Sequence, residues 1–236
     1  MSQKSKDDMT GCIIVPALNE QRHIGEVVRR MLKYISQVVV IDDGSMDRTA
    51  AEAEDAGAVV LRHEHNQGKG AALNTGFTYA RENGFDFVIT MDADGQHDPA
   101  DIPRFVEAFR RTGIPVLVGN RMGNLGSMPW IRKLTNRFMS WYLSREMKQY
   151  VPDTQCGFRL YRSDVIPFVC AESKRYAAES ETLLLVAAHG IRIDSVPMAA
   201  IYADEKSRIN PLKDAFRFFA MMHRYRRRNP PHSRRT

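Results

Sequence analysis

Five short runs of Val, Ile and Leu, each followed by a segment with helical spacing, dominate the first half of the chain: "GCIIVPALN", "QVVVIDDG", "AVVLRHE", "FDFVITMDAD" and "IPVLVGNR". Adjacent positions in these runs are apolar, so both faces of each strand need cover, which a parallel sheet between two helical layers supplies. The intervening segments suit those layers. Residues 20–35 place Ile24, Val27, Val28, Met31 and Ile35 on one helical face, "DRTAAEAEDAG" is an Ala-rich helix stopped by Gly57, and further helices are expected over 69–82 and 100–111. The fold expected is α/β, a three-layer α/β/α sandwich with a mainly parallel central sheet.

The second half has a different rhythm. A longer helix is expected over 130–148, strand and turn in "TQCGFRLYRSD", a helix with an acidic start and a Gly stop in "AESETLLLVAAHG", a strand in "IRIDSVPM", and a last helix in "PLKDAFRFFAMMHRYRRR". With 236 residues and 43% hydrophobic content the chain can bury a large core. Its three cysteines, Cys12, Cys156 and Cys170, have neither a disulfide framework nor metal-ligand spacing, which suggests a reducing compartment. The N-terminus lacks an apolar leader and no run of about 18 apolar residues occurs, so a cytoplasmic protein is expected. The last sixteen residues hold six arginines and no acid, which accounts for the net charge of +6. Such a tail is a solvated end or a contact for anionic membrane or nucleic acid.

In open α/β sheets, ligands bind beyond the carboxyl ends of the strands. Three of those ends are polar together: "PALNE", "DDGSMDRT" and "DADGQH". Asp92 and Asp94 are alternate residues and can share a face, where two carboxylates repel unless a cation lies between them. Oxygen ligands suit Mg²⁺ or Mn²⁺, which commonly use one or two carboxylates with substrate phosphates, and Gln96 could add an amide oxygen. The missing positive charge is then expected to arrive with the substrate. "NQGKGAALNTGF" supplies a tight turn into a helix but lacks Walker A spacing, so Lys69 is read as mainly structural.

"VPALNE", "VVVIDDGSMDRT", "NQGKGAALNTGF", "MDADGQHDP", "GNR" and "DTQCGFRLYR", in this order, resemble a family 2 glycosyltransferase of the GT-A fold, in the polyprenyl-phosphate hexosyltransferase branch. The resemblance covers about residues 11–210. It implies that Pro16, Leu18 and Glu20 contact the nucleoside and that Ile41 and Asp43 hold base and ribose. Asp92, Asp94 and Gln96 would bind the metal, Ala93 would approach the nucleotide through its backbone, and Arg121 would contact the donor. Glu179 and Glu181 fall where many members carry a catalytic carboxylate, with helix-dipole complementation as the alternative reading. Asp153, Gln155 and Arg159 would line the acceptor side, and Cys156 reads as a packing residue.

The domains expected are a flexible 1–10, a catalytic domain over 11–210 with a donor half (11–121) and an acceptor half (122–210), an amphipathic basic helix over 211–228, and a disordered tail over 229–236. A sugar hydroxyl acceptor calls for a carboxylate base, whereas a lipid phosphate is already an anionic nucleophile. For the latter, Lys206, Ser207 and Arg208 offer phosphate donors, with Arg132 as a further candidate. Phe216, Phe218, Phe219, Met221 and Met222 among arginines would let the last helix lie on anionic lipid or pack on the domain. The function expected is an inverting, metal-dependent transfer of a hexose from a nucleotide-diphosphate sugar to polyprenyl phosphate. A saccharide hydroxyl acceptor is the alternative. A nucleic-acid-binding protein is the alternative of another class, and no nucleic acid partner is expected, because the charge is confined to the tail.

Overall fold

The apolar runs become strands β1 (Gly11–Ala17), β2 (Val38–Asp42), β3 (Val59–Arg62), β4 (Phe87–Thr90) and β5 (Val116–Asn120), joined later by β6 (Arg159–Arg162) and β7 (Ile193–Pro197). Helices α1 (Ile24–Met31), α2 (Thr49–Asp55), α3 (Lys69–Glu82), α4 (Ile102–Thr112), α5 (Trp130–Met147), α6 (Tyr176–Ala188) and α7 (Pro211–Arg228) connect and cover them. The computed structural model describes residues 9–123, 130–169, 176–199 and 211–228.

One seven-stranded sheet runs in the order β3-β2-β1-β4-β6-β5-β7. All neighbouring pairs are parallel except those made by β6, which lies antiparallel between β4 and β5. β2 is buried at all five positions, as a strand covered on both faces must be. The strand order reverses between β1 and β4, so the connections leaving their ends diverge and open a crevice at the carboxyl edge.

Helix α3 crosses beneath that crevice and packs closely on β1. An added Cβ at Gly76 would stand 2.4 Å from Ile14 Cγ2, so a side chain there would push the helix off the sheet. Gly68 precedes the helix with φ +98°, a conformation that costs other residues about 1–2 kcal/mol and directs the chain from the β3 edge into α3.

Helix α7 departs from one of its two expected roles. Phe218, Met221 and Met222, expected to be available to lipid, are buried in the main core together with Tyr225, and Tyr225 Oη donates to Leu184 O at 3.3 Å. They pack toward α6, whose apolar residues lie all round it and so need cover on this side too. Phe219 remains exposed. The side chain of Phe216 lies outside the described residues.

Candidate active site

Beyond the ends of β1 and β4, Lys69, Asp92 and Glu179 meet. Lys69 Nζ lies 2.5 Å from Asp92 Oδ1 and 2.5 Å from Glu179 Oε1. Pro16, Leu73, Thr90 and Gly157 line the same cleft. Three elements supply the charges: the first residue of α3, the loop after β4 and the first turns of α6. Gly157 permits the assembly, because a Cβ there would stand 2.7 Å from Asp92 Oδ2 and 3.0 Å from Glu179 Oε1.

The electrostatics follow from burial and pairing. Burial by itself would lower the Lys69 ammonium, but Asp92 and Glu179 outweigh it and hold the group well above the ordinary lysine range. Burial would raise the Asp92 carboxyl, and Lys69 and His97 reverse this and hold it well below the carboxylate range. Asp94 has the opposite fate: burial and then the Asp92 charge raise it above its usual value. Asp94 Oδ1 accepts the Gln96 backbone N–H at 3.0 Å.

This distribution divides the expected metal ligands. Asp92 is paired with Lys69, but that single ammonium is shared with Glu179, so the cluster of three keeps a net negative charge. Asp94 keeps an unfavourable negative charge that a bound cation would relieve, so a divalent metal fits beside it. Buried His97 Nδ1, without a hydrogen-bond partner, lies in the same loop. No cluster of three or more His, Cys, Asp or Glu residues poised for a metal exists among the described residues.

Several expected contacts have other work. Ile41, expected near the base, is fully buried within β2 and its side chain joins the core. Asp43 accepts the backbone N–H groups of Gln67 at 2.9 Å and Gly68 at 2.7 Å and meets His63 Nδ1 at 2.8 Å, which ties down the entry to α3. Arg121, expected on the donor, forms a buried two-pronged pair with Asp153 at 2.7 and 3.0 Å. Arg159, expected on the acceptor side, does line the cleft, and it is 1% exposed and donates to the carbonyls of Cys156, Glu179 and Thr154. Its guanidinium fastens α6 beneath the cleft. Gln155 Nε2 donates to Thr154 Oγ1 and Ser180 Oγ, both at 3.1 Å.

Glu179 and Glu181, both candidates for a catalytic carboxylate, are placed differently. Two residues apart on a helix they point in different directions, and only Glu179 reaches the cleft. Pro16 lines the cleft, Leu18 and Glu20 are half-buried in the loop after β1, and Ala93 is buried beside the two aspartates. Cys156 packs against Met198, as a core residue does. The side chain of Arg132, and Lys206, Ser207 and Arg208, lie outside the described residues.

Lys69, read from the sequence as mainly structural, lies in the cleft as the partner of Asp92 and Glu179, a pairing the sequence reading did not include. One signal was present: a cation at the first position of a helix opposes the helix dipole, so it needs an acidic partner. Which acid served could not be read from the chain.

The family model described as glycosyl transferase family 2 matches residues 12–167. The UDP-N-acetylglucosamine–dolichyl-phosphate N-acetylglucosaminyltransferase of Methanococcus voltae is 30% identical over 215 residues, covering 81% of this chain and 86% of the relative. The undecaprenyl-phosphate mannosyltransferase of Micrococcus luteus is 31% identical over 201 residues, covering 80% and 82%. Glucosyl-3-phosphoglycerate synthase from Mycobacterium tuberculosis, solved with Mn²⁺, UDP and phosphoglyceric acid, superposes with a TM-score of 0.73 at 20% identity, over 94% of this chain and 80% of its own, and shares the fold. Strand order, the acidic crevice between β1 and β4, and a family match across most of the chain agree: this protein is a GT-A-fold glycosyltransferase belonging to glycosyl transferase family 2.

Proposed function

We propose that the protein transfers a hexose from a nucleoside-diphosphate sugar to a polyprenyl phosphate, with inversion at the anomeric carbon. The observation that carries this reading is the engagement of Glu179. Its Oε1 is held by the Lys69 ammonium at 2.5 Å, so one oxygen of this cleft-lining carboxylate is already engaged in an ion pair. An acceptor that is already an anion needs no base. The relatives named for dolichyl-phosphate and undecaprenyl-phosphate transfer support the same acceptor class.

In this reading a phosphate oxygen of the acceptor attacks the anomeric carbon while the bond to the nucleoside diphosphate breaks, and no proton has to leave. Asp94 would hold a divalent cation, Mg²⁺ or Mn²⁺, which would supply positive charge for the diphosphate leaving group. Lys69 contributes a fixed positive charge at the same edge and keeps Asp92 and Glu179 in place. Arg159 holds the first turns of α6 so that Glu179 reaches Lys69.

The test is a screen of UDP- and GDP-sugars with Mg²⁺ or Mn²⁺ against a short-chain polyprenyl phosphate and against free saccharides, with Asp94→Ala as control. Lipid-linked sugar made by the parent and lost in the variant is the expected result. Saccharide products without any lipid-linked product would reverse the acceptor assignment.

A further inference from the structure

We propose that the exposed faces of α5 and α7 form one surface that docks on an anionic lipid bilayer. On α5, Leu134, Phe138 and Trp141 are 63%, 49% and 58% exposed, far more than large apolar side chains on a covered helix. Their spacing of four and three residues puts them on one stripe, and exposed Arg137 and Arg145 fall on that stripe too. No acidic residue lies on it. The buried residues of α5, among them Asn136, Ser140, Leu143 and Met147, occupy the opposite side, so the helix packs with its polar and aliphatic face and presents its aromatic face outward. This inverts the usual arrangement of a surface helix.

The stripe continues onto α7. Phe138 and Trp141 have ring centroids 6.1 Å apart, Phe138 and Tyr142 are 6.4 Å apart, and Tyr142 and Phe219 are 6.5 Å apart. Phe219 is 51% exposed. Arg226 lies over the Tyr142 ring at 5.7 Å and pairs with Glu146 at 2.9 Å, which fixes the two helices side by side. The combined surface has an aromatic centre and an arginine rim.

Charge selects the occupant. A second copy would set arginine against arginine across an isologous contact, because Glu146, the acid beside Tyr142, is 18% exposed and already paired with Arg226. A bilayer bearing anionic headgroups satisfies both halves of the surface: Trp and Phe settle at the headgroup level, and arginines meet the phosphates. The surface is peripheral, since no helix among the described residues is long and apolar enough to cross a membrane. Membrane contact had been expected from the Met- and Phe-rich side of the last helix, which the fold buries; α5 takes that place.

The experiment is co-sedimentation of the full chain with vesicles of phosphatidylcholine alone and of phosphatidylcholine with phosphatidylglycerol, without donor or acceptor, so its outcome is independent of the acceptor assignment. The full chain is expected to bind the anionic vesicles and to be released by salt. Arg137→Gln with Arg145→Gln should weaken binding by about 25-fold, as two factors of about five. Phe138→Ser with Trp141→Ser should weaken it by more than about tenfold. Both pairs are exposed, and an unchanged circular dichroism spectrum and urea midpoint would show that they fold. In a Trp130→Phe background, Trp141 emission should shift to the blue on anionic vesicles and be quenched by brominated acyl chains. The proposal is overturned if the parent ignores anionic vesicles or if the paired variants bind as the parent does. A dimer broken by these substitutions, or capture of single-stranded RNA in place of vesicles, would overturn it equally.

Discussion

Lys69 and Glu179 stand 110 positions apart in the chain and 2.5 Å apart in the fold. With Asp92 on its other side, the lysine joins the donor half of the sheet to the acceptor half through a single ammonium group. A cation at the start of α3 is unfavourable in isolation, and the two carboxylates are what hold it there.

Replacing Lys69 with Met should cost both stability and turnover. Two carboxylates would be left without their partner. The cost is expected at roughly 2–3 kcal/mol, below the ~3–5 kcal/mol of a fully buried pair, because the Lys69 and Asp92 side chains keep 22% and 26% exposure. Turnover should fall roughly a hundredfold or more. Urea denaturation and steady-state kinetics read the two effects separately.

Asp94→Asn should act in the opposite sense on stability. Because folding raises the Asp94 carboxyl, the native state binds its proton more readily than the unfolded chain does. Its charge therefore penalises folding in full above that raised value, and the penalty is relieved as pH falls through it to the ordinary carboxylate range. The amide removes the penalty, so the metal-free variant should unfold at an equal or higher urea concentration than the parent. Calorimetric titration should show it losing Mn²⁺ uptake in the presence of nucleoside diphosphate.

The buried pair of Arg121 and Asp153 predicts a non-additive cycle. Side chains of 6% and 0% exposure leave the survivor of a single deletion charged and enclosed. Arg121→Leu or Asp153→Leu alone should cost about 3–5 kcal/mol, and the double substitution much less than their sum. Additive costs in denaturant melts would show that the pairing is not what Arg121 is for.

Gly157→Ala tests the crowding of the cleft directly. The new methyl would meet Asp92 Oδ2 and Glu179 Oε1 at 2.7 and 3.0 Å, and one carboxylate must move away from Lys69. A soluble, folded variant with turnover reduced by at least about tenfold is expected. Normal kinetics would mean that the three-residue cluster tolerates displacement.

The thiols of Cys12 and Cys156 should be inert in the native protein. Burial pushes each up to about 12, so almost no thiolate exists near neutral pH. Alkylation followed by peptide mass spectrometry should leave both unmodified at about pH 8 and label both after denaturation. Rapid labelling of either in the folded state would show that its enclosure opens.

Much of the sheet could be read in advance because its signal is local. Val38, Val39, Val40 and Ile41 lie on alternating sides of one strand, and four apolar neighbours in a row demand cover on both faces wherever the strand sits. The aspartates of "MDADGQHDP" were legible for a related reason: a polar run straight after a buried strand has to surface at the sheet edge. Arg121, Arg159 and Asp43 were harder. A charged residue near a site looks the same in sequence whether it points at a ligand or at a neighbouring carbonyl. Here Arg159 turns to three carbonyls and Asp43 to two backbone amides.

The sequence by itself determined a doubly covered, mainly parallel sheet with acidic strand ends, since these follow from the spacing of apolar side chains along each run. Only the tertiary structure decided that Lys69 would sit between Asp92 and Glu179, and that α7 would bury its methionines while α5 keeps Trp141 outside. Those outcomes depend on which segments the strand order brings together, and contacts between distant segments leave no periodic trace in either partner.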